Sequence, residues 1–263
     1  MHLLKPHRLS EVLWSSLSCR CVLCKDDVAS PNTCLCDHCI NQLPWTGERC
    51  TVCGCQLERT QLCPQCQQSP PYYRRCISAF NYTGDSIDRL IFPIKKDPVC
   101  PQLRQLTLLL SKEIERAYSD QEWPTVLVPV PVHWQTLLRR GYNQSHSIAF
   151  QLTQCFESLE IAPQLCRRQK FSTPQRLRNR QQRLRNMRHS FTLDHSSNVT
   201  PNATSGNLST QYSGVTNKTL AIVDDVVTTG ATVNALAKLL MDAGAKQVDV
   251  WAIAKTNWHN RAS

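Results

Sequence analysis

Leu220-Ala-Ile-Val-Asp224-Asp225-Val-Val-Thr228-Thr229-Gly230-Ala231-Thr232 is the stretch on which the reading of this chain turns. Its apolar head makes a buried strand, and residues 232–243 keep helical spacing as far as Gly244, a common helix stop. A strand that ends in two aspartates, turns through Thr-Thr-Gly and enters a helix sets a cation site beside an anion site. Loop amides, Ala231 included, and the positive end of the helix dipole attract a phosphate. Gly230 lets the backbone come close, and the hydroxyls of Thr228, Thr229 and Thr232 donate to the same oxygens. Asp224 and Asp225 accept from ribose hydroxyls or hold a hydrated Mg2+. Each residue type also occurs as an ordinary cap of a strand-to-helix turn. What favours the phosphate cradle is that every special position is filled at once in the right context.

Working outward, residues 76–82 read as a strand, 86–94 as a helix cut short at Pro93, and 102–118 as a longer helix. The β-branched run 125–132, bounded by prolines, reads as a buried strand ending in a loop. Gly141-Tyr142-Asn143 then leads into a helix through residue 154, and 248–254 is a last strand. Strands alternating with helices predict an α/β fold with a parallel sheet. Residues 194–218, rich in Ser, Thr, Asn and Gly, read as a disordered insertion. Residues 1–18 carry leucines and a valine at roughly helical spacing and read as an amphipathic helix.

Of the 15 cysteines, eight fall in four Cys-x-x-Cys pairs. Cys21, Cys24, Cys36 and Cys39 form one set, and Cys50, Cys53, Cys63 and Cys66 a second, with 11 and 9 residues between the pairs of each. That spacing suits tetrahedral zinc held by four thiolates, a structural coordination with no open position for a catalytic water. Pairing along the chain and interleaving both satisfy it. Cys19, Cys34 and Cys55 stand outside the regular spacing and read as bystanders. The start of the chain lacks the clean apolar centre of a secretion signal, and no apolar run approaches the roughly 20 residues that cross a bilayer. A cytoplasmic protein without a membrane span is the expectation, and zinc explains the cysteines better than disulfides do.

The formal charge is +10, which two four-thiolate zinc sites lower to about +6. The excess lies in residues 167–188, where nine cationic side chains, Arg176, Arg180 and Arg183 among them, occur with no acidic residue between. Such a run neutralises backbone phosphates of single-stranded nucleic acid, or serves as a solvated helix face.

The loop resembles the 5-phosphoribosyl 1-diphosphate signature of type I phosphoribosyltransferases. Four further features extend the likeness over nearly the whole chain to the ComF family: the paired Cys-x-x-Cys motifs, Phe80-Asn-Tyr82 before a helix reaching Lys95, Val128-Pro-Val-Pro-Val-His133, and Arg139-Arg-Gly-Tyr-Asn-Gln144. Thr173, Gln175, Arg183, Asn186 and Phe191 in the basic segment add to it. The resemblance implies a double zinc ribbon over residues 19–76, with sequential pairing. It implies a type I phosphoribosyltransferase-like parallel sheet flanked by helices over 77–263, and a role in DNA uptake or utilisation during natural competence. The activity implied is pentosyl transfer from phosphoribosyl diphosphate with Mg2+, and a competence helicase is an implied partner. On this reading residues 228–232 hold the 5-phosphate and Asp224 and Asp225 the ribose. Val130, Pro131 and Val132, with Arg140, border the diphosphate. Lys95 and Asn143 complete the set, although Lys95 also reads as a surface lysine, and Arg140 and Asn143 as a simple helix start. Pro93, two residues before Lys95, departs from the family's regular helix.

Overall fold

The computed structural model of the chain describes residues 20–28, 33–168, 191–194 and 214–257. The expected helix over 1–18 lies outside them, as do Arg176, Arg180 and Arg183.

Five strands form one parallel sheet: β1 (Cys76–Asn81), β2 (Val126–Pro129), β3 (Glu160–Ile161), β6 (Thr219–Val227) and β7 (Gln247–Lys255), in the order β1-β7-β6-β2-β3. The central strands β6 and β7 are apolar on both faces because helices cover both. Along β7, Trp251 and Ile253 turn to one face, Val248, Val250 and Ala252 to the other. The first face packs against α3 (Asp85–Ile94), α4 (Pro101–Ala117) and α6 (Gln144–Cys155). The second packs against α7 (Ala231–Asp242), through Val233, Leu236, Ala237 and Leu240. It also receives a small antiparallel pair of strands, β4 (Cys166–Arg168) and β5 (Phe191–Leu193). This is the helix-flanked parallel sheet of the fold class expected, preceded by a cysteine-stapled module.

The chain crosses the sheet in two directions. From β1 to β2 and on to β3 it steps one way over the first face, and from β6 to β7 it steps back over the second. The direction reverses between β2 and β6, and in parallel sheets a crevice opens at the carboxyl ends of the strands flanking such a reversal.

The cysteine module contains α1 (Asp37–Asn41) and α2 (Pro64–Gln68). Its first half is continuous with the sheet core: Cys21, Cys34, Leu35, Cys39 and Leu43 pack with Ile77 and Phe80. The link between its halves lies along the free edge of β1, where Thr46 N donates to Ala79 O (3.0 Å) and Asn81 N to Pro44 O (2.7 Å). Strand edges invite pairing with other chains, and this one is covered.

Several element bounds differ from expectation. The strand carrying the two aspartates does not end at them but continues to Val227, paired with β7 throughout. Pro93 sits inside α3 without stopping it, and the helix runs one residue further to Ile94, so the hydrogen bond its missing amide would make is lost only in the last turn. Val126–Pro129 is a shorter strand than the run 125–132, and α5 (Trp134–Arg140) follows it, a short helix with no buried residue and no strong sequence signal. The insertion read over 194–218 is narrower: Asp194 is buried and pairs with Arg167, and Val215 is fully buried. Residues 195–213 lie outside the described residues. No helix among the described residues is long and apolar enough to cross a membrane.

Candidate functional site

The crevice between β2 and β6 collects most of the site residues read from sequence. Val130 N donates to Val223 O (2.9 Å), which continues the β2–β6 ladder one residue past the strand and holds the Val130-Pro131-Val132 turn beside the acids. Asn143 is the N-cap of α6, its Oδ1 accepting from Ser145 N (3.0 Å), while its Nδ2 donates to Val130 O (3.0 Å). It therefore caps and also ties two loops together. Ser145 Oγ donates to Asp224 Oδ1 (3.1 Å), and the amide of Asp225 donates to the same oxygen (3.0 Å). Burial, then the neighbouring Asp225 carboxylate, pushes the Asp224 carboxyl well above the usual carboxylate range. A proton or a divalent cation relieves that repulsion.

Asp225 is buried, and among the described residues its Oδ2 accepts no hydrogen bond and its nearest cation is Lys95 Nζ, at 3.4 Å. Pro93 thus does not prevent Lys95 from reaching the site, because the turn after it closes with Lys95 N on Phe92 O and Lys96 N on Pro93 O. A buried carboxylate oxygen without a hydrogen bond, beside a second carboxylate, is a donor set that suits a hard divalent ion such as Mg2+. Arg140, the last residue of α5, reaches the start of α6, with Nη1 donating to Gln144 Oε1 (3.2 Å). Tyr142 fastens that loop to α3 through its hydroxyl on Ile94 O (2.7 Å).

The Thr228-Thr229-Gly230 loop joins β6 to α7. Gly230, at φ 77°, is the N-cap of α7 and has no side chain to cap it; the Ala231 amide donates instead to Thr229 Oγ1 (3.4 Å), a long bond that an anionic oxygen can replace. Thr228 and Thr229 are exposed, while Ala231 and Thr232 are half-buried. A recess of about 30 Å3 runs from Asp224 under Thr228 to Gly230, Ala231 and Thr232. It accepts a water-sized group, and the exposed threonine hydroxyls extend it outward.

Three residues that sequence reasoning did not single out hold this loop from beneath. Lys255, buried at the end of β7, donates from Nζ to Thr228 O (2.5 Å) and Thr256 O (2.9 Å). Tyr73 is buried with its hydroxyl against Gly230, where an added Cβ would lie 3.3 Å from it. Asn234 Oδ1 accepts from Tyr72 N (2.7 Å), joining α7 to the segment that leaves the cysteine module. A charge closing the apolar run 250–254 at the sheet's carboxyl edge was the available signal for Lys255.

The cysteines form two groups, one per consecutive half of the module, as sequential pairing requires. The sulfurs of Cys21, Cys24, Cys36 and Cys39 lie within 4.8 Å of one another. A tetrahedral zinc centre of four thiolates has its sulfurs about 3.8 Å apart, and Cys24 and Cys36 are at 3.6 Å, Cys53 and Cys63 at 3.8 Å. Both groups fit zinc. Burial opposes ionisation of Cys21, but amide hydrogen bonds from Cys24, Cys36 and Leu23 bring its thiol down to about 6. In the second group the tight four-sulfur set is Cys50, Cys53, Cys55 and Cys63. Cys55, read as a bystander, stands in the set where spacing put Cys66. Cys66 remains in the same buried cluster.

No protein-family model matches the chain. Competence protein F of Haemophilus influenzae is 27% identical over 243 residues, covering 90% of this chain and 96% of its own. The DNA utilization protein YhgH of Escherichia coli K12 is 28% identical over 240 residues with the same coverage. Its counterpart in Salmonella typhimurium is 28% identical over 239 residues. Among solved structures, a purine phosphoribosyltransferase from Pyrococcus horikoshii Ot3 aligns over 65% of this chain and 74% of its own, at 17% identity and a TM-score of 0.29.

Proposed function

We propose that this homologue of competence protein F and of the DNA utilization proteins binds 5-phosphoribosyl 1-diphosphate, or a related sugar phosphate, and serves DNA uptake or utilisation. The observation that carries the reading is the β6–α7 junction, where paired aspartates, one with a buried oxygen that accepts no hydrogen bond among the described residues, adjoin a helix whose N-cap is the glycine Gly230.

In this reading the 5-phosphate takes the amides and hydroxyls of residues 228–232, and the ribose hydroxyls lie against Asp224 and Asp225. Val130, Pro131, Val132 and Arg140 border the diphosphate, which Mg2+ accompanies. Lys95, paired with Asp225, supplies positive charge on the far side of the acids. If transfer occurs here, ribose C1 becomes cationic as diphosphate departs. The carboxylates then stabilise the sugar while Arg140 stabilises the departing diphosphate. Zinc, held by the two cysteine groups, is structural.

Calorimetry with phosphoribosyl diphosphate and Mg2+ tests the binding, with Asp225→Asn as the variant that should abolish it. Absence of any heat with the wild-type chain would refute the reading. Diphosphate release, assayed across nucleobases and single-stranded DNA, tests turnover.

A second reading rests on the nine cationic residues over 167–188, which carry no interspersed acid in sequence. On it the chain is a single-stranded nucleic-acid-binding module, or an adaptor for an uptake helicase. Binding to single-stranded DNA should then weaken steeply with salt, and neutralising Arg176, Arg180 and Arg183 should flatten that dependence.

A further inference from the structure

The second cysteine group holds one thiol more than a tetrahedral ion takes. Cys50, Cys53, Cys55, Cys63 and Cys66 are all buried in one cluster, and four of them form the tight set while Cys66 stands beside it. Cys50, Cys53 and Cys63 form a common frame: Cys63 N donates to Cys50 Sγ (3.4 Å), and the Cys53 and Cys63 sulfurs are in contact.

Two different local structures then offer the fourth sulfur. One is the tight turn Cys50 to Cys55, closed by Cys50 N on Cys55 O (2.8 Å) and Gly54 N on Cys50 O (3.1 Å). Gly54 sits at φ 70°, and an added Cβ would lie 2.8 Å from Cys76 O, so only glycine fits there. This turn brings Cys55 into the set with Cys53. The other is α2, where Cys66 N donates to Cys63 Sγ (3.4 Å), placing Cys66 one turn from a frame cysteine in the ordinary Cys-x-x-Cys manner. Each competes on its own merit, the first by proximity and the second by knuckle geometry.

The competition has a neighbour. Cys53 and Cys66 line a cavity of about 210 Å3 whose other walls include Tyr73, Thr229, Gly230 and Lys255. The cysteine that leaves the metal therefore belongs to a cluster packed against the underside of the phosphate loop.

We propose that the second metal site exchanges its fourth ligand, with Cys55 and Cys66 alternating on the ion and one thiol of this cluster left off the metal. When Cys55 is bound, the free thiol is Cys66, on the cavity wall. The proposal rests on zinc occupying both groups, and metal analysis of the wild-type chain separates the two: fewer than two zinc ions per chain overturns that premise and the proposal with it.

With two ions in the wild type, Cys55→Ser and Cys66→Ser should each keep two per chain, and the double variant should fall to one. Cobalt substitution should give a tetrahedral all-thiolate spectrum at the second site of both single variants. Loss of an ion in either single variant would overturn the proposal in favour of a fixed set, and two ions in the double variant would overturn it by dispensing with both residues. Should a variant fail to fold, the wild-type chain still decides. Brief alkylation of the zinc-loaded protein, followed by peptide mapping, should divide the label that falls within this cluster between Cys55 and Cys66, and label confined to one of the two would refute exchange.

Discussion

The pairing of Lys95 with Asp225 is open to a quantitative test by a double-mutant cycle of Lys95→Met and Asp225→Asn. At 3.4 Å, unit charges attract by about 5 kcal/mol with an effective dielectric constant of 20. About a third of the Lys95 side chain is open to water, while Asp225 is nearly closed off, so screening and the ordering of a long side chain remove much of this. A coupling energy of about 1–3 kcal/mol remains. Lys95→Met alone should cost more than its coupling, because it leaves two adjacent carboxylates without a compensating cation. The double variant should recover part of that loss. Urea unfolding of the four proteins at neutral pH measures the cycle. A coupling below about 0.5 kcal/mol, the additivity limit for independent sites, would mean that Lys95 is solvated and that α3 after Pro93 does not deliver it to the site.

Other expectations concern neighbouring parts. The Asp224 carboxyl, held above its ordinary range by burial and by Asp225, binds its proton more tightly when folded, so its ionised form costs stability above the ordinary value, near about 4. Asp224→Asn should accordingly melt higher than wild type at pH 7, with the gap closing as pH falls toward about 4; a gap that widens in acid would contradict the assignment. Gly230→Ala places a side chain at positive φ against the Tyr73 hydroxyl. It should cost about 1–2 kcal/mol in denaturant unfolding and weaken phosphoribosyl diphosphate binding in calorimetry. Away from the site, Asp249 is fully buried, takes Arg74 in a bidentate pair and accepts from Tyr118. Asp249→Ala should cost about 3–5 kcal/mol while any surviving folded protein keeps its ligand affinity, which thermal melts and calorimetry together can check.

What was legible in sequence was what a short window encodes. The β6–α7 junction needs an apolar strand, two acids, a threonine pair and a glycine in one order, and each requirement acts on its immediate neighbours, so the loop could be read directly. The same holds for Asn143, whose capping of α6 is a matter of two residues. Cys66 shows the limit of that method: regular spacing identified a metal-ligand type, but the turn at Gly54 brought in Cys55, because the close approach to Cys76 O is tertiary. The supports of the loop were out of reach for a related reason. Lys255 lies 27 residues from Thr228 and becomes its partner because β7 runs beside β6 in the sheet. Ser145 meets Asp224 because the crossover direction reverses between β2 and β6 and sets the start of α6 over the crevice. Strand order, which no local window contains, thus decides which groups surround the acids. It follows that a related chain with the same Asp-Asp-x-x-Thr-Thr-Gly loop but an apolar residue at the end of β7 would keep the loop's acids and hydroxyls and lose the clamp on Thr228 beneath them.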